Sequence, residues 1–358
     1  MEIWFDGGMH LVDGEAHLLF DPSNLFFPHP SPPDRGGPNL VLISHGHSDH
    51  CNTAEQYNDC PQVMHPATLE ILSIYRKIKK PVSLKIEKRG AVARYKPLKF
   101  KHLTIDAYNA GHCVGSVQFR VQTSKGAFVF TGDMNNDLDN IAMRPALSVE
   151  ANYLAIESTM GEPRMVAEPR PAVYRKIYDF LSDSLGDGRN VAVLYGHAIG
   201  KGQEITKLVN YLGGITVDHM LVGARTRAVN KIYEKYDSSI GKYARYDKTI
   251  PPGKVVLFFD LYNMKANGLT AKKKFKLAEE PPSLIVSAFG DPSFGIPMIV
   301  LSSHADFTGL NRYVDESMAQ TKDGGIVIPF HGSSGVFAEH LHSRGFNSAD
   351  PHVNVITI

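Results

Sequence analysis

The sequence predicts an α/β protein, and three observations carry that reading. Short apolar runs recur, each ending in a loop that carries histidine or carboxylate: residues 39–43 before 44–50, residues 127–130 before 131–133, and residues 153–156 before Glu157. Amphipathic helical patterns at 170–181 and 203–212 alternate with apolar strands at 191–195 and 255–259. The 358 residues, 43% hydrophobic and 21% charged, can bury one large core or two modest ones.

In chain order, strands at 2–5 and 16–20 are joined through a Gly- and Asp-containing turn, and Asp21-Pro22 ends the second. Residues 22–38, with Pro28, Pro30, Pro32 and Pro33, read as a surface loop. The third apolar run delivers Ser44-His45-Gly46-His47-Ser48-Asp49-His50. Imidazole nitrogen and carboxylate oxygen at this density suit a borderline cation such as Zn²⁺, with Mn²⁺ or Fe open. In an extended loop His45 and His47 project to one side and serve one metal, whereas Asp49 and His50 suit a second. A helix is expected at 67–77. Residues 76–101 carry eleven Lys and Arg, Arg89 among them, against the single acid Glu87, either a solvated face or a phosphate-contacting one. A strand at 103–108 presents His112 in a glycine-bearing loop, and Asp133, beside Gly132 at a strand end, is placed to bridge two metals. Strands at 326–330 and 353–358 close the sheet.

A formal net charge of +1 argues neither for nor against a nucleic-acid partner. Cys51, Cys60 and Cys113 form no disulfide framework and fit a reducing compartment; Cys51 and Cys113 read as small buried residues beside the site before metal ligands. No basic start followed by an apolar stretch marks a secretory leader, and no apolar run approaches a membrane span. A cytoplasmic protein with no membrane partner is expected.

The His-x-His-x-Asp-His hexad after an apolar strand resembles the signature of the metallo-β-lactamase fold. Four further stretches narrow the resemblance to the β-CASP group of nucleases with that fold: Glu157-Ser158-Thr159, the glycine-rich turn at 196–205, Ser302-Ser303-His304-Ala305-Asp306, and Ile328-Pro329-Phe330-His331-Gly332. Lys201 departs from the group, which usually has arginine there. The resemblance implies an αββα sandwich at 1–164 and 291–358, interrupted by an inserted β-CASP α/β domain at 165–290. It also implies two Zn²⁺ (Mn²⁺ open), one on His45, His47, His112 and Asp133, the other on Asp49, His50, His331 and the shared Asp133. Asp21 would support the ligands from behind; a plain strand-end aspartate is the alternative. Asp49, Glu157 and His304 are the catalytic candidates, with His304 as general acid oriented by Glu157. Lys201, Lys272, Lys273 and Lys274 are candidate nucleic-acid contacts. The implied activity is phosphodiester hydrolysis, on RNA before DNA because histidine at position 331 resembles the RNA-processing branch. A DNA exonuclease of repair is the runner-up, and a hydrolase of a small diester or thioester is the third reading. Oligomeric state is not legible, and a homodimer is left open.

Overall fold

The computed structural model describes the chain except residues 26–34, 89–93, 187–189, 212–215, 237–238, 289–294, 322–323 and 350–354. Pro28, Pro30, Pro32, Pro33, Arg89, Leu212 and Val353 therefore lie outside the described residues. Two compact units result: Met1–Asp137, Arg144–Val166 and His304–Ile358 form one, and Leu138–Met143 with Ala167–Ser303 form the other.

The first unit packs a seven-stranded sheet against a six-stranded sheet. Alternation along each strand sets the layers, because successive side chains point to opposite faces. Phe20 of Ala16–Phe20 and Phe128 and Phe130 of Gly126–Phe130 point into the space between the sheets, where the rings of Phe20 and Phe130 lie 4.9 Å apart. Their neighbours face outward. Val129 packs with Leu310 and Val314 of helix Phe307–Ser317 and with Phe337 of helix Ser334–Ser343. Leu19 packs with Val41, Met64 and Leu72, the last from helix Pro66–Leu72. The order is helix, sheet, sheet, helix.

Parallel pairing gathers the strand ends. Ala16–Phe20 runs parallel to Leu40–Leu42, so Asp21 and the histidine loop leave the same edge. Gly126–Phe130, Tyr153–Glu157 and Ile326–Phe330 are parallel in turn, which brings Asp133, Glu157 and His331 to one edge.

The second unit is a six-stranded, all-parallel sheet in the order Ala244–Arg245, His219–Val222, Val255–Asp260, Val191–Gly196, Ser283–Ser287, Met298–Val300. Parallel neighbours require crossovers, which Lys201–Tyr211, Ala224–Tyr236 and Leu261–Asn267 help to supply. Residues 295–303, expected with the C-terminal part of the first domain, stay with this unit because Met298–Val300 pairs with Ser283–Ser287.

Two local expectations change. The helix expected at 67–77 stops at Leu72, where the Ser73 hydroxyl turns back to donate to Leu69 O and Tyr75 OH reaches Gly46 O. The segment read as a turn between the first two strands contains the strand Met9–Asp13, paired on both sides.

Candidate metal centre

Six histidines and two carboxylates from separate segments of the first unit converge on Asp133. The loops that bring them together are tightly built. Gly132 has φ +55°, and a Cβ there would come within 2.5 Å of Ser44 Cβ. Asp21 and His331 adopt φ of 49° and 62°, conformations that side-chain-bearing residues rarely take.

Asp133 divides its two oxygens between two groups of nitrogens. Oδ2 lies 3.6 Å from both His45 Nε2 and His112 Nε2. Those two nitrogens stand 3.1 Å and 3.0 Å from His47 Nδ1. Oδ1 faces His50 Nε2 at 3.2 Å and His331 Nδ1 at 3.4 Å, without a well-aligned hydrogen bond. Tetrahedral zinc with bonds of 2.0–2.2 Å places neighbouring donor atoms about 3.3–3.6 Å apart. The donor separations around Asp133 match that spacing to within a few tenths of an ångström. His45, His47, His112 and Asp133 could therefore hold one ion, and His50, Asp133 and His331 another.

Asp21 fixes the rings from behind. Its Oδ2 accepts from His50 Nδ1 at 2.7 Å and from Ser44 Oγ at 2.5 Å, while Oδ1 accepts from Ser44 N at 2.6 Å. Ser44 Oγ lies 2.9 Å from His45 Nδ1. Since the Ser44 hydroxyl donates to Asp21, it accepts from His45 Nδ1–H. On both rings the Nδ1–H is thereby held from behind, so Nε2 is the nitrogen that faces the centre and can bind an ion once it carries no proton. Sequence reasoning assigns Ser44 no role, although a hydroxyl at the strand end, directly before the histidines, is the signal that could have found it.

Asp49 sits in the half-buried turn Ser48–His50 and belongs to none of the ligand groupings found among the described residues. Burial favours its neutral form, but His50 and His47 hold it below the usual carboxylate range. It contributes negative charge near the site.

Glu157 is fully buried. Its oxygens accept from Met134 N at 2.8 Å and Thr159 N at 3.3 Å, and both lie 3.1 Å from His304 Nδ1. Burial works against charge on His304, yet Glu157 and Asp133 outweigh it and raise the ring to about 9. His45 moves the other way, held well below its ordinary value by burial and by His50 and His47. Burial also opposes charge on His50, but Asp133 and Asp21 hold it well above. Asp133, despite burial, is held well below the carboxylate range by His50 and His304.

The candidate nucleic-acid lysines divide. Lys272, Lys273 and Lys274 are exposed on the short helix Ala271–Phe275. Lys201 is no surface cation: it is 3% exposed, with Nζ 3.0 Å from Glu204 Oε2, and burial lowers it to about 8. Among the described residues no helix is long and apolar enough to cross a membrane.

No family model matches the chain. A protein named as a probable DNA ligase from Opitutus terrae is 26% identical over 250 residues, 68% of this chain and 23% of that protein. An RNase J-like protein of Methanocaldococcus jannaschii is 25% identical over 183 residues, covering 48% of this chain and 43% of the relative. Subunit 3 of the cleavage and polyadenylation specificity factor of Dictyostelium discoideum is 21% identical over 341 residues, 85% of this chain and 40% of the relative. The chain thus spans less than half the length of each of these relatives. A solved structure from Enterococcus faecalis, titled a protein of unknown function, shares the fold with a TM-score of 0.65 at 13% identity over 100% of this chain and 99% of the other.

Proposed function

We propose that this chain, which belongs to the β-CASP family of metallo-β-lactamase-fold nucleases, hydrolyses phosphodiester bonds of nucleic acid, with RNA preferred to DNA. The observation that carries the reading is the division of Asp133 between two ligand groups beside a Glu157–His304 pair. The names of two relatives, an RNase J-like protein and a cleavage and polyadenylation factor subunit, favour RNA. DNA is kept as the second reading because another relative is named a probable DNA ligase. The second unit is read as the inserted β-CASP domain, with Lys272, Lys273 and Lys274 as its candidate phosphate contacts. The three free cysteines support a reducing, cytoplasmic setting.

Zinc, or manganese in its place, would be held by His45, His47, His112 and Asp133 on one side and by Asp133, His50 and His331 on the other. Bound there, two such cations supply Lewis acidity that activates water and neutralises phosphate charge. The protein's own groups do the rest. Asp21 and Ser44 fix the tautomers of His45 and His50, so both donors are oriented in advance. His304, paired with Glu157, would hold a proton for the departing sugar oxygen, which would otherwise leave as a costly alkoxide. Glu157 also bonds Met134 N, so the acid's partner is itself anchored.

The test is one zinc-loaded preparation assayed on labelled single-stranded RNA, single-stranded DNA and a nitrophenyl diester. RNA is expected to be cleaved fastest. Cleavage of DNA alone would move the assignment to the second reading, and turnover of the small diester alone would remove nucleic acid as the substrate.

A further inference from the structure

The histidines of the 45–50 stretch sit on a loop, and a neighbouring turn of the same unit grips that loop by its main chain. After helix Pro66–Leu72 the chain tightens, with Tyr75 N and Arg76 N donating to Leu72 O at 3.0 and 2.7 Å. The two side chains then reach to either end of the loop. Tyr75 OH donates to Gly46 O at 2.5 Å, and Arg76 Nη1 donates to Asn52 O at 3.0 Å. The guanidinium also lies over the Tyr75 ring, 5.6 Å from its centroid, so each side chain steadies the other. Tyr75 is 37% exposed, yet its hydroxyl is turned inward to a main-chain carbonyl.

The loop is held from its buried side as well. Cys51, fully buried, donates from Sγ to His47 O at 3.0 Å, and the same carbonyl accepts from His50 N at 3.2 Å. Two consecutive carbonyls, of Gly46 and His47, are thus both bonded by side chains. Gly46 allows so close an approach, since a Cβ there would come within 2.7 Å of Ile71 Cγ2. Asp21 grips the start of the loop through Ser44 N. A loop that an ion must first order binds it less tightly than one already in place.

We propose that Tyr75, Arg76 and Cys51 are positioning residues for His45 and His47, holding their main chain ready for an ion. None of the three belongs to a ligand grouping among the described residues. This inference rests on the reading of His45, His47, His112 and Asp133 as a metal site.

The test is zinc affinity of the full chain, measured by competition with a chelator. His331→Ala serves as the background, because it should leave only the ion on His45, His47, His112 and Asp133. There, Tyr75→Phe, which removes a single oxygen, should weaken zinc about 10-fold, and Arg76→Met by a similar factor. Cys51→Ala should cost about threefold, since a thiol is a weak donor, and Cys51→Ser should restore affinity to within about twofold. Cobalt bound in place of zinc reports the ligand angles through its visible absorption, which should shift in Tyr75→Phe and Cys51→Ala and return in Cys51→Ser. The cysteine pair carries the test if Tyr75→Phe does not fold. Unchanged affinity, or weaker binding with an unaltered cobalt spectrum, would overturn the positioning role. Wild-type protein that bound no zinc would instead remove the metal-centre reading, and this proposal with it.

Discussion

The molecule buries two charged clusters, and they are built on opposite principles. Around Glu204 every oxygen meets a cation or a hydroxyl, so the cluster closes on itself. Around Asp133 four ring nitrogens lie 3.2–3.6 Å from its oxygens, and a fifth, on His47, stands 3.0–3.1 Å from two of them. The first arrangement satisfies its carboxylate with protein groups alone. The second gathers ring nitrogens and carboxylate oxygens at the spacing that a bound positive ion could use. A buried polar cluster therefore signals a ligand by the direction its atoms face, more than by its charge or its burial.

That contrast can be broken first at its centre. Asp133→Ala removes the only carboxylate common to both ligand groups, and elemental analysis should show metal falling from about two ions per chain to almost none, with activity at background. Full occupancy in the variant would mean that the histidines alone complete the sites.

The next largest effect concerns the one ring of the cluster assigned no metal. His304→Ala should retain the metals and bind substrate normally, yet lower the chemical rate on the order of 10²–10⁴-fold. A nitrophenyl diester, whose leaving group needs no proton, should lose far less. Equal losses on the two substrates would exclude His304 as the acid.

Asp21→Asn tests the support behind the rings. Loss of the carboxylate that orients His45 and His50 should weaken metal affinity about 10- to 100-fold, as competition with a chelator would show. The same comparison carries a pH signature. The charge on His50 is favoured in the metal-free protein because its ordinary value is raised. Its proton must leave before the nitrogen can bind an ion, so metal uptake should release protons and weaken as pH falls. Calorimetry in buffers of different ionisation enthalpy would detect that release; no dependence on the buffer would show that His50 is already neutral or does not bind.

The smallest effect lies at the exposed lysines. Replacing Lys272, Lys273 and Lys274 with Gln should flatten the salt dependence of single-strand binding by about 0.7 in log–log slope for each phosphate no longer neutralised. An unchanged slope would make that helix an ordinary solvated surface.

That these residues would gather around Asp133 was legible because most follow apolar strands directly, and parallel pairing carries strand ends to a common edge. His45, His47, His112 and Asp133 needed only that rule to meet. Asp49, expected as a ligand of the second ion, stands in the turn Ser48–His50 outside the ligand groupings among the described residues. Lys201 was not legible as a buried residue. A lysine in a glycine-rich turn looks exposed, and its burial depends on Arg170 and Glu204, whose pairing spans 34 residues of sequence. The bond from Arg170 to Ser302 spans 132 residues and involves a main-chain carbonyl, which leaves no mark in side-chain pattern. Residues 9–13 became a strand through partners on both sides, a tertiary fact that two glycines and an aspartate obscured.

Of the four non-glycine residues with positive φ among the described residues, Asp21 and His331 belong to the metal centre. A left-handed backbone costs about 1–2 kcal/mol in a residue that bears a Cβ, and His331 accepts that burden where glycine would relieve it. The protein thus gives up some fold stability to place an imidazole. A lineage released from catalysis would gain stability by losing the side chain at position 331, so thermal tolerance and turnover should trade against each other there.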